Sequence, residues 1–351
     1  MVNGPLKNLK QRLALVTTFA LGPLLSACGG TPVTKFDWLA TESPPKNYPM
    51  EIVSGYFIAP DGYSLYIPNE RVVQSGWGTM NSSHVVGPDL KSLPSRLEIS
   101  FFSYSENVFY KGEFDLPYDT IVRLFNEGYY SPKEEGHATY MGVMAGVAPG
   151  GSVAVWLLGV NKTTEVFFGK AEKTQDIPWA RIYDGSEITR EEYVHESLED
   201  AIGIEKINSL KQNGIPFELW NSYRARYPWQ PLIIADHPPP FVDAIFYFNG
   251  EEDAFRYPLD EPTASALRSV PRKVFYIWDN PEGKAKYLTF NFDEAETFAA
   301  FKKLSPDGTT PLKLEFHTRK IDGIDKFATQ LSNEKESVVL HKMIMGRNVD
   351  R

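Results

Sequence analysis

The chain has 351 residues and a formal net charge of −9, an acidic balance that disfavours nucleic acid and anionic lipid as ligands of its surface and favours neutral or basic partners. With 42% hydrophobic and 13% aromatic residues it can bury a sizeable core, so a disordered chain is excluded. At this length two domains are the natural expectation.

The first residues have the three parts of a secretory signal. Basic Lys7, Lys10 and Arg12 precede an apolar run over 13–25. That run is shorter than the roughly 20 residues a spanning helix needs, and Gly22 and Pro23 break it. Leu25, Ser26, Ala27, Cys28 and Gly29 follow, resembling the lipobox of bacterial lipoproteins: small residues admit the peptidase and the thiol accepts the lipid. Cys28 is the only cysteine, so it has no internal disulfide partner. Lipidation at Cys28 is expected, with cleavage before it. Several acyl chains at one residue give stable anchoring. Gly29 stands where Asp would resemble an inner-membrane retention signal, so the expected address is the periplasmic face of the outer membrane. Cleavage removes three positive charges and no negative ones, moving the net charge from −9 to −12.

Period-two patterning with Gly and Pro punctuation predicts strands over 50–58, 64–67, 96–102, 108–114, 140–147, 153–158 and 165–168. Pro149, Gly150 and Gly151 make the turn of a hairpin over 147–160 whose arms, apolar on both faces, belong in a sheet interior. One helix starts at Pro117, carries Ile121, Val122, Leu124 and Phe125, and stops at Gly128. Thr189 with Glu192 forms a capping box that opens a helix running to about Gln212, where Asn213 and Gly214 end it. Pro216 begins a further helix, with Phe217, Trp220, Tyr223 and Tyr227 at near-helical spacing. Strands follow over 241–248, 254–257, 273–278, 286–292 and 312–317, with helices over 264–270 and 294–304. The tail beyond Ile321 shows no clear period, and its end is expected to be disordered.

The resulting expectation is an α+β fold: two β-rich, mainly antiparallel halves joined by a helical section, after a cleaved lipoprotein signal peptide. Its parts are a signal peptide (1–27), a lipidated tether (28–35), a β-rich domain (36–185), a helical connector (186–228) and an α+β domain (229–351). Whether the halves share one sheet is left open. Phe114, Leu116, Pro117 and Asp119 echo Phe255, Tyr257, Pro258 and Asp260 in spacing, a weak sign of duplication because such residues are generic before helices.

Enzyme constellations are missing from the local sequence. There is no Gly-x-Ser-x-Gly elbow, and the glycines of 146–152 lack the lysine of a phosphate loop. His195 and Glu199 are an i, i+4 pair one histidine short of a zinc-protease pattern, and a solvated helix face accounts for them. Neither cofactor nor metal is expected. Trp220, Tyr223, Arg224, Arg226 and Trp229 have the composition of a binding hot spot; core packing explains Trp220 equally well. The acidic runs Glu196, Glu199, Asp200 and Glu251, Glu252, Asp253 read as solvated faces or as ligands for a basic partner.

Tyr48-Pro49-Met50-Glu51, Gly55-Tyr56-Phe57, Ser75-Gly76-Trp77-Gly78, Leu93-Pro94-Ser95-Arg96-Leu97, Phe109-Tyr110-Lys111-Gly112, Leu116-Pro117-Tyr118 and Ala148-Pro149-Gly150-Gly151 through Val155-Trp156-Leu157 occur in this order. Together they resemble the proteobacterial lipoprotein family of the domain of unknown function 2931, over roughly 36–185. The resemblance implies a periplasm-facing lipoprotein of the kind encoded near type VI secretion lipase effectors, acting as an immunity protein. It supplies no catalytic residues. The expected function is therefore a membrane-anchored binding or inhibitory protein, not an enzyme, whose partner is a secreted phospholipase. A structural lipoprotein binding another envelope component is the alternative.

Overall fold

The computed structural model describes residues 34–131, 136–235, 242–259, 266–279, 285–321 and 324–348. Cys28 and the signal segment lie outside the described residues, as do 236–241 and 260–265.

In chain order the first half holds strands β1 (Lys35–Phe36), β2 (Leu39–Ser43), β3 (Met50–Ile58), β4 (Ser64–Tyr66), β5 (Lys91–Ser92), β6 (Arg96–Ser103) and β7 (Val108–Asp115). Helix α1 (Tyr118–Glu127) is followed by β8 (Tyr129–Ser131), β9 (Gly136–Ala138), β10 (Gly142–Ala148), β11 (Ser152–Gly159), β12 (Lys162–Lys170) and β13 (Glu172–Thr174). Two layers form. The five-stranded sheet β13-β7-β6-β3-β4 faces β2, β10 and β11 across a core of Ile52, Phe57, Leu97, Ile99, Phe101, Val143, Val153, Val155 and Leu157, which α1 joins through Ile121 and Phe125. Every residue of β10 is buried, as expected for an interior strand with both faces covered. The tight β10–β11 turn needs its glycines: Gly150 and Gly151 have φ of 75° and 79°, and a Cβ on Gly151 would lie 2.3 Å from the Ala171 carbonyl oxygen.

Helix α2 (Arg190–Asn213) opens with the expected capping box, Thr189 and Glu192 satisfying each other's backbone amides. It bends at Gly203, φ 76°. Val194 anchors it against Phe102, Tyr104 and Phe109, on the outer side of the five-stranded sheet. The guanidinium of Arg190 lies 4.9 Å from the Trp179 ring centre and donates to Asn107.

The predicted helix after Pro216 is only one turn, α3 (Leu219–Ser222). Tyr227 and Trp229 belong instead to strand β14 (Arg226–Ala235), because Pro228 and Pro231 deny the chain helical hydrogen bonds. Strands β15 (Val242–Phe248), β16 (Glu252–Tyr257), β17 (Leu267–Ser269), β18 (Pro271–Asp279) and β19 (Ala285–Asn291) follow, then helix α4 (Glu294–Leu304), with the bounds expected and Asp293 as its side-chain cap. Where a helix over 264–270 was expected, residues 267–269 form β17, paired with β14 through Arg226↔Ser269. Strands β20 (Leu312–Ile321), β21 (Ile324–Ser332), β22 (Ser337–Val339) and β23 (Ile344–Asn348) follow, and the extreme end, 349–351, where disorder was expected, lies outside the described residues. A second core of Trp229, Phe246, Phe255, Tyr276, Phe290, Phe301, Leu314 and Phe316 fills the space between β15, β16, β18, β19 and the sheet β17-β14-β20-β21-β22.

The fold is thus α+β and mainly antiparallel, with parallel pairs at β2–β10 and β14–β20. One nine-stranded sheet, β2-β10-β11-β12-β16-β15-β18-β19-β23, runs through both halves. Its middle rests on a single residue pair between β12 and β16, Thr163↔Glu252. Beyond that pair Glu251 takes over. Its Oε1 accepts the amide of Glu165 at 3.1 Å, and its Oε2 accepts from Arg226 at 2.7 Å and the Ser269 hydroxyl at 3.1 Å. Lys162 and Asp253 flank the junction at 2.8 Å.

Replacing Glu251 strips three donors of their acceptor, the Glu165 amide among them. Glu251→Ala is expected to lower stability by about 2–3 kcal/mol, against less than about 0.5 for Glu196→Ala on the exposed face of α2. Equilibrium denaturation of the two variants checks this.

Candidate functional site

The five aromatic and basic residues expected to form one surface are spread over three places. Trp220 and Trp229 are 2% and 1% exposed, and their indole N–H groups donate to the carbonyls of Pro149 and Ser269, both at 3.1 Å. Tyr223 is buried beside Trp220 and donates to Glu294 at 3.0 Å. Arg224 and Arg226 reach the surface, but both are paired at the seam, Arg224 across it with Glu165 at 2.6 Å and Arg226 with Glu251 on its own side. His195, Glu196, Glu199 and Asp200 are exposed on α2. Of the second acidic run, Glu251 and Asp253 are consumed by the seam.

Glu252 is different. Registers across the nine-stranded sheet place Leu39, Gly142, Leu158, Thr163, Glu252, Tyr247, Lys273, Asn291 and Ile344 in one continuous cross-strand row. The row alternates with core residues of both halves, so it belongs to the outer face. On that face lies the segment 75–83. Ser43 donates to the Gly76 carbonyl at 2.9 Å, Thr41 to that of Ser82, and the Asn81 amide to the Glu42 carbonyl at 3.1 Å, so edge strand β2 is covered rather than bare. Trp77 is inserted from this segment against Trp156 and Trp220, with ring centres 4.9 and 5.9 Å apart.

Gly78 sets how closely the segment can approach. Its φ is +75°, and a Cβ there would sit 2.3 Å from Gly250 Cα, backbone against backbone. Among the motifs carried by the first half, Ser75-Gly76-Trp77-Gly78 therefore serves as a wedge: glycines free the backbone and the indole fills the gap between the halves.

On one side of this wedge is a cleft of about 430 Å³. Half-buried Leu39 and Leu158 form its base; Met80 and Met141, 47% and 51% exposed, stand at its rim; Glu252, Tyr247 and Arg272 close its polar end. The Glu252 side chain makes no hydrogen bond or ion pair among the described residues. Burial pushes its carboxyl up to about 7, against the opposing pull of Arg272 and Lys273. Arg272 donates through Nε to the Phe248 carbonyl at 2.9 Å and lies over the Tyr247 ring at 5.7 Å. Its terminal nitrogens have no partner among the described residues. On the other side of Trp77 a second cleft of about 570 Å³ lies between residues 45–48, α3 and Glu294, and Arg272 lines it as well.

Sequence reasoning missed Arg272, Met80 and Met141, and read Glu252 only as part of an acidic run. One signal was present: a tryptophan flanked by glycines marks an inserted side chain with close backbone approach. The pairing that separates Glu252 from its two neighbours is set by the sheet and has no local mark.

The fold and its wedge define an α+β protein whose β-rich first half carries the motif set noted above. The family described as Protein of unknown function (DUF2931) matches residues 24–218, and the chain belongs to that family. The match stops before β14, so it takes in the first half, α2 and the residues leading into α3. No curated protein and no solved structure matches the chain.

Two outcomes test this geometry. The raised Glu252 carboxyl keeps, in the folded state, a proton that the unfolded chain releases above its ordinary value of 4.5. Its contribution is therefore fully present below about 4.5 and is lost as the pH rises through about 7. Allowing for solvent at the cleft mouth, the loss is on the order of 1–2 kcal/mol. Denaturation at pH 5 and pH 8 should show a smaller difference for Glu252→Gln than for the unaltered protein. At Gly78, alanine adds a left-handed backbone penalty to a backbone clash and is expected to cost about 3 kcal/mol or more. Gly62→Ala, with a similar φ of +84° and open space around it, should cost only about 1 kcal/mol. Thermal melts separate the two.

Proposed function

We propose that this chain is a lipid-anchored, periplasm-facing binding protein that neutralises a phospholipase delivered by type VI secretion. The lipobox around Cys28 and the family resemblance support the setting. The observation that carries the binding role is the cleft beneath residues 78–83: Met80 and Met141 exposed at its rim, Leu39 and Leu158 at its base, and at its end the Glu252 side chain with no partner among the described residues. Flexible thioethers over an apolar base accept an inserted side chain, and an unpaired carboxylate with a neighbouring guanidinium supplies directional contacts whose desolvation requires a complementary partner.

The rest of the chemistry fits the same role. A net charge of −9 steers a basic or neutral enzyme towards this protein and speeds encounter. A tether on the membrane that a phospholipase attacks raises the effective concentration of inhibitor where the enzyme works. Binding at a cleft mouth needs no turnover. An inhibitor acts by covering the enzyme's own active-site entrance.

The test is periplasmic co-expression with a type VI secretion lipase effector. Cells with the unaltered protein are expected to survive. Met80→Asp combined with Met141→Asp places charge in the apolar contact and should weaken effector binding by at least tenfold, with little change in melting temperature because both side chains are exposed. Cys28→Ala should move the protein out of the membrane fraction and reduce protection while binding in solution is retained. Lysis that continues with abundant unaltered protein would end the immunity reading. Recovery of one constant partner from envelopes that lack any type VI effector would favour the envelope-component alternative.

A further inference from the structure

The second cleft, on the far side of Trp77, has a different chemistry from the first. Tyr48, Trp77, Trp220 and Tyr223 form its aromatic floor, with Tyr48 and Trp220 edge to face at 5.1 Å. Around that floor stand Lys46, Lys206 and Arg272, three cations gathered on one opening of an acidic protein. Lys46 and Lys206 have no ion pair among the described residues. The terminal nitrogens of Arg272 likewise have no partner there, although burial disfavours its charge and Glu252 only partly offsets this. A largely shielded guanidinium with open donors calls for an anion. A phosphate oxygen pair matches its fork.

A plain anion does not fit the whole cleft, because Glu294 faces the same space. One Glu294 oxygen, Oε2, accepts from Tyr223 at 3.0 Å and from Asn249 at 3.3 Å. The other oxygen has no partner among the described residues. It would repel a phosphate standing alone and attract an ammonium, and the tyrosine and tryptophan rings beside it also favour a cation. Burial and then the Glu294 charge hold the Tyr223 hydroxyl far above the ordinary phenol range, so that hydroxyl stays a donor to Glu294.

We propose that this cleft binds a phosphorylated primary amine, its phosphate on Arg272, Lys46 and Lys206 and its ammonium at the free oxygen of Glu294. The smallest such group is phosphoethanolamine, which is both a free metabolite-sized zwitterion and the headgroup of a phospholipid. The opening to solvent admits either. The site lies across Trp77 from the Met80–Met141 cleft and shares Thr79 and Arg272 with it, whereas Glu294 and Lys206 line this cleft and not the other, so variants at those two read it independently of effector binding.

The test titrates O-phosphoethanolamine, inorganic phosphate and ethanolamine into the full-length protein in non-ionic detergent, followed by calorimetry. Saturable binding of phosphoethanolamine is expected, at least tenfold tighter than phosphate. Glu294→Gln keeps an acceptor for Tyr223 but removes the charge, and should collapse that tenfold preference. Lys206→Gln, at the surface, should weaken both anions together. Competition by phosphatidylethanolamine in mixed micelles, with none by phosphatidylglycerol, would assign the site to a lipid headgroup. Binding of the soluble zwitterion with no competition by either lipid would assign it to a free phosphorylated amine. Absence of saturable phosphoethanolamine binding, or a preference over phosphate unchanged in Glu294→Gln, would overturn the proposal.

Discussion

One carboxylate carries the joint between the halves of this protein. Backbone pairing across the middle of the nine-stranded sheet amounts to Thr163↔Glu252, and two large twisted sheets cannot remain in register on one bridge. Glu251 supplies what the ladder lacks, accepting a backbone amide from β12, a guanidinium from β14 and a hydroxyl from β17. Its side chain is 13% exposed, which lends these charge-assisted bonds strength that surface pairs do not have. Because β14 and β17 also wall the second core, the same group ties the sheet junction to the layer behind it.

Once the seam is closed, the outer face of the sheet becomes a continuous floor that neither half has by itself. The segment 75–83 crosses it, bound to β2 and wedged by Trp77, and divides it into two clefts with unlike linings. Arg272 lines both. On one side its field opposes the burial that raises the Glu252 carboxyl; on the other its free nitrogens stand with Lys46 and Lys206 around aromatic rings. Of the Arg272 side chain only Nε has a hydrogen-bond partner among the described residues, and open donors on a shielded guanidinium are costly in a merely structural role. Its retention at this junction is the physical reason for placing recognition there.

Much of the local structure was legible because short-range chemistry decides it. Thr189 and Glu192 announced the start of α2, and Pro149-Gly150-Gly151 marked the hairpin turn. Apolar alternation located β3 with its bounds. The misreadings have equally concrete causes. Tyr223 and Tyr227 are four apart, as on a helix, but the prolines that follow favour a strand. The tail hid its pattern because buried Thr329, 0% exposed, sits on the core side of β21 between Phe327 and Leu331 and spoils the apolar alternation. Residues 267–269 carry Arg268, which is 5% exposed and donates to the Trp229 carbonyl. A buried arginine gives no sequence sign of a strand.

The amino-acid sequence alone determined the signal-like start with its single cysteine, the β-rich character, most helix limits and the family resemblance, since each depends on neighbours within a few residues. Tertiary structure alone decided that the halves share a sheet, that Trp220 and Trp229 are core while Met80 and Met141 are surface, and that Glu251 and Glu252 have opposite fates. Glu251 lies just before β16 and Glu252 opens it, and the partner across the seam, about 90 residues away in the chain, selects which carboxylate is satisfied and which is left facing a cleft.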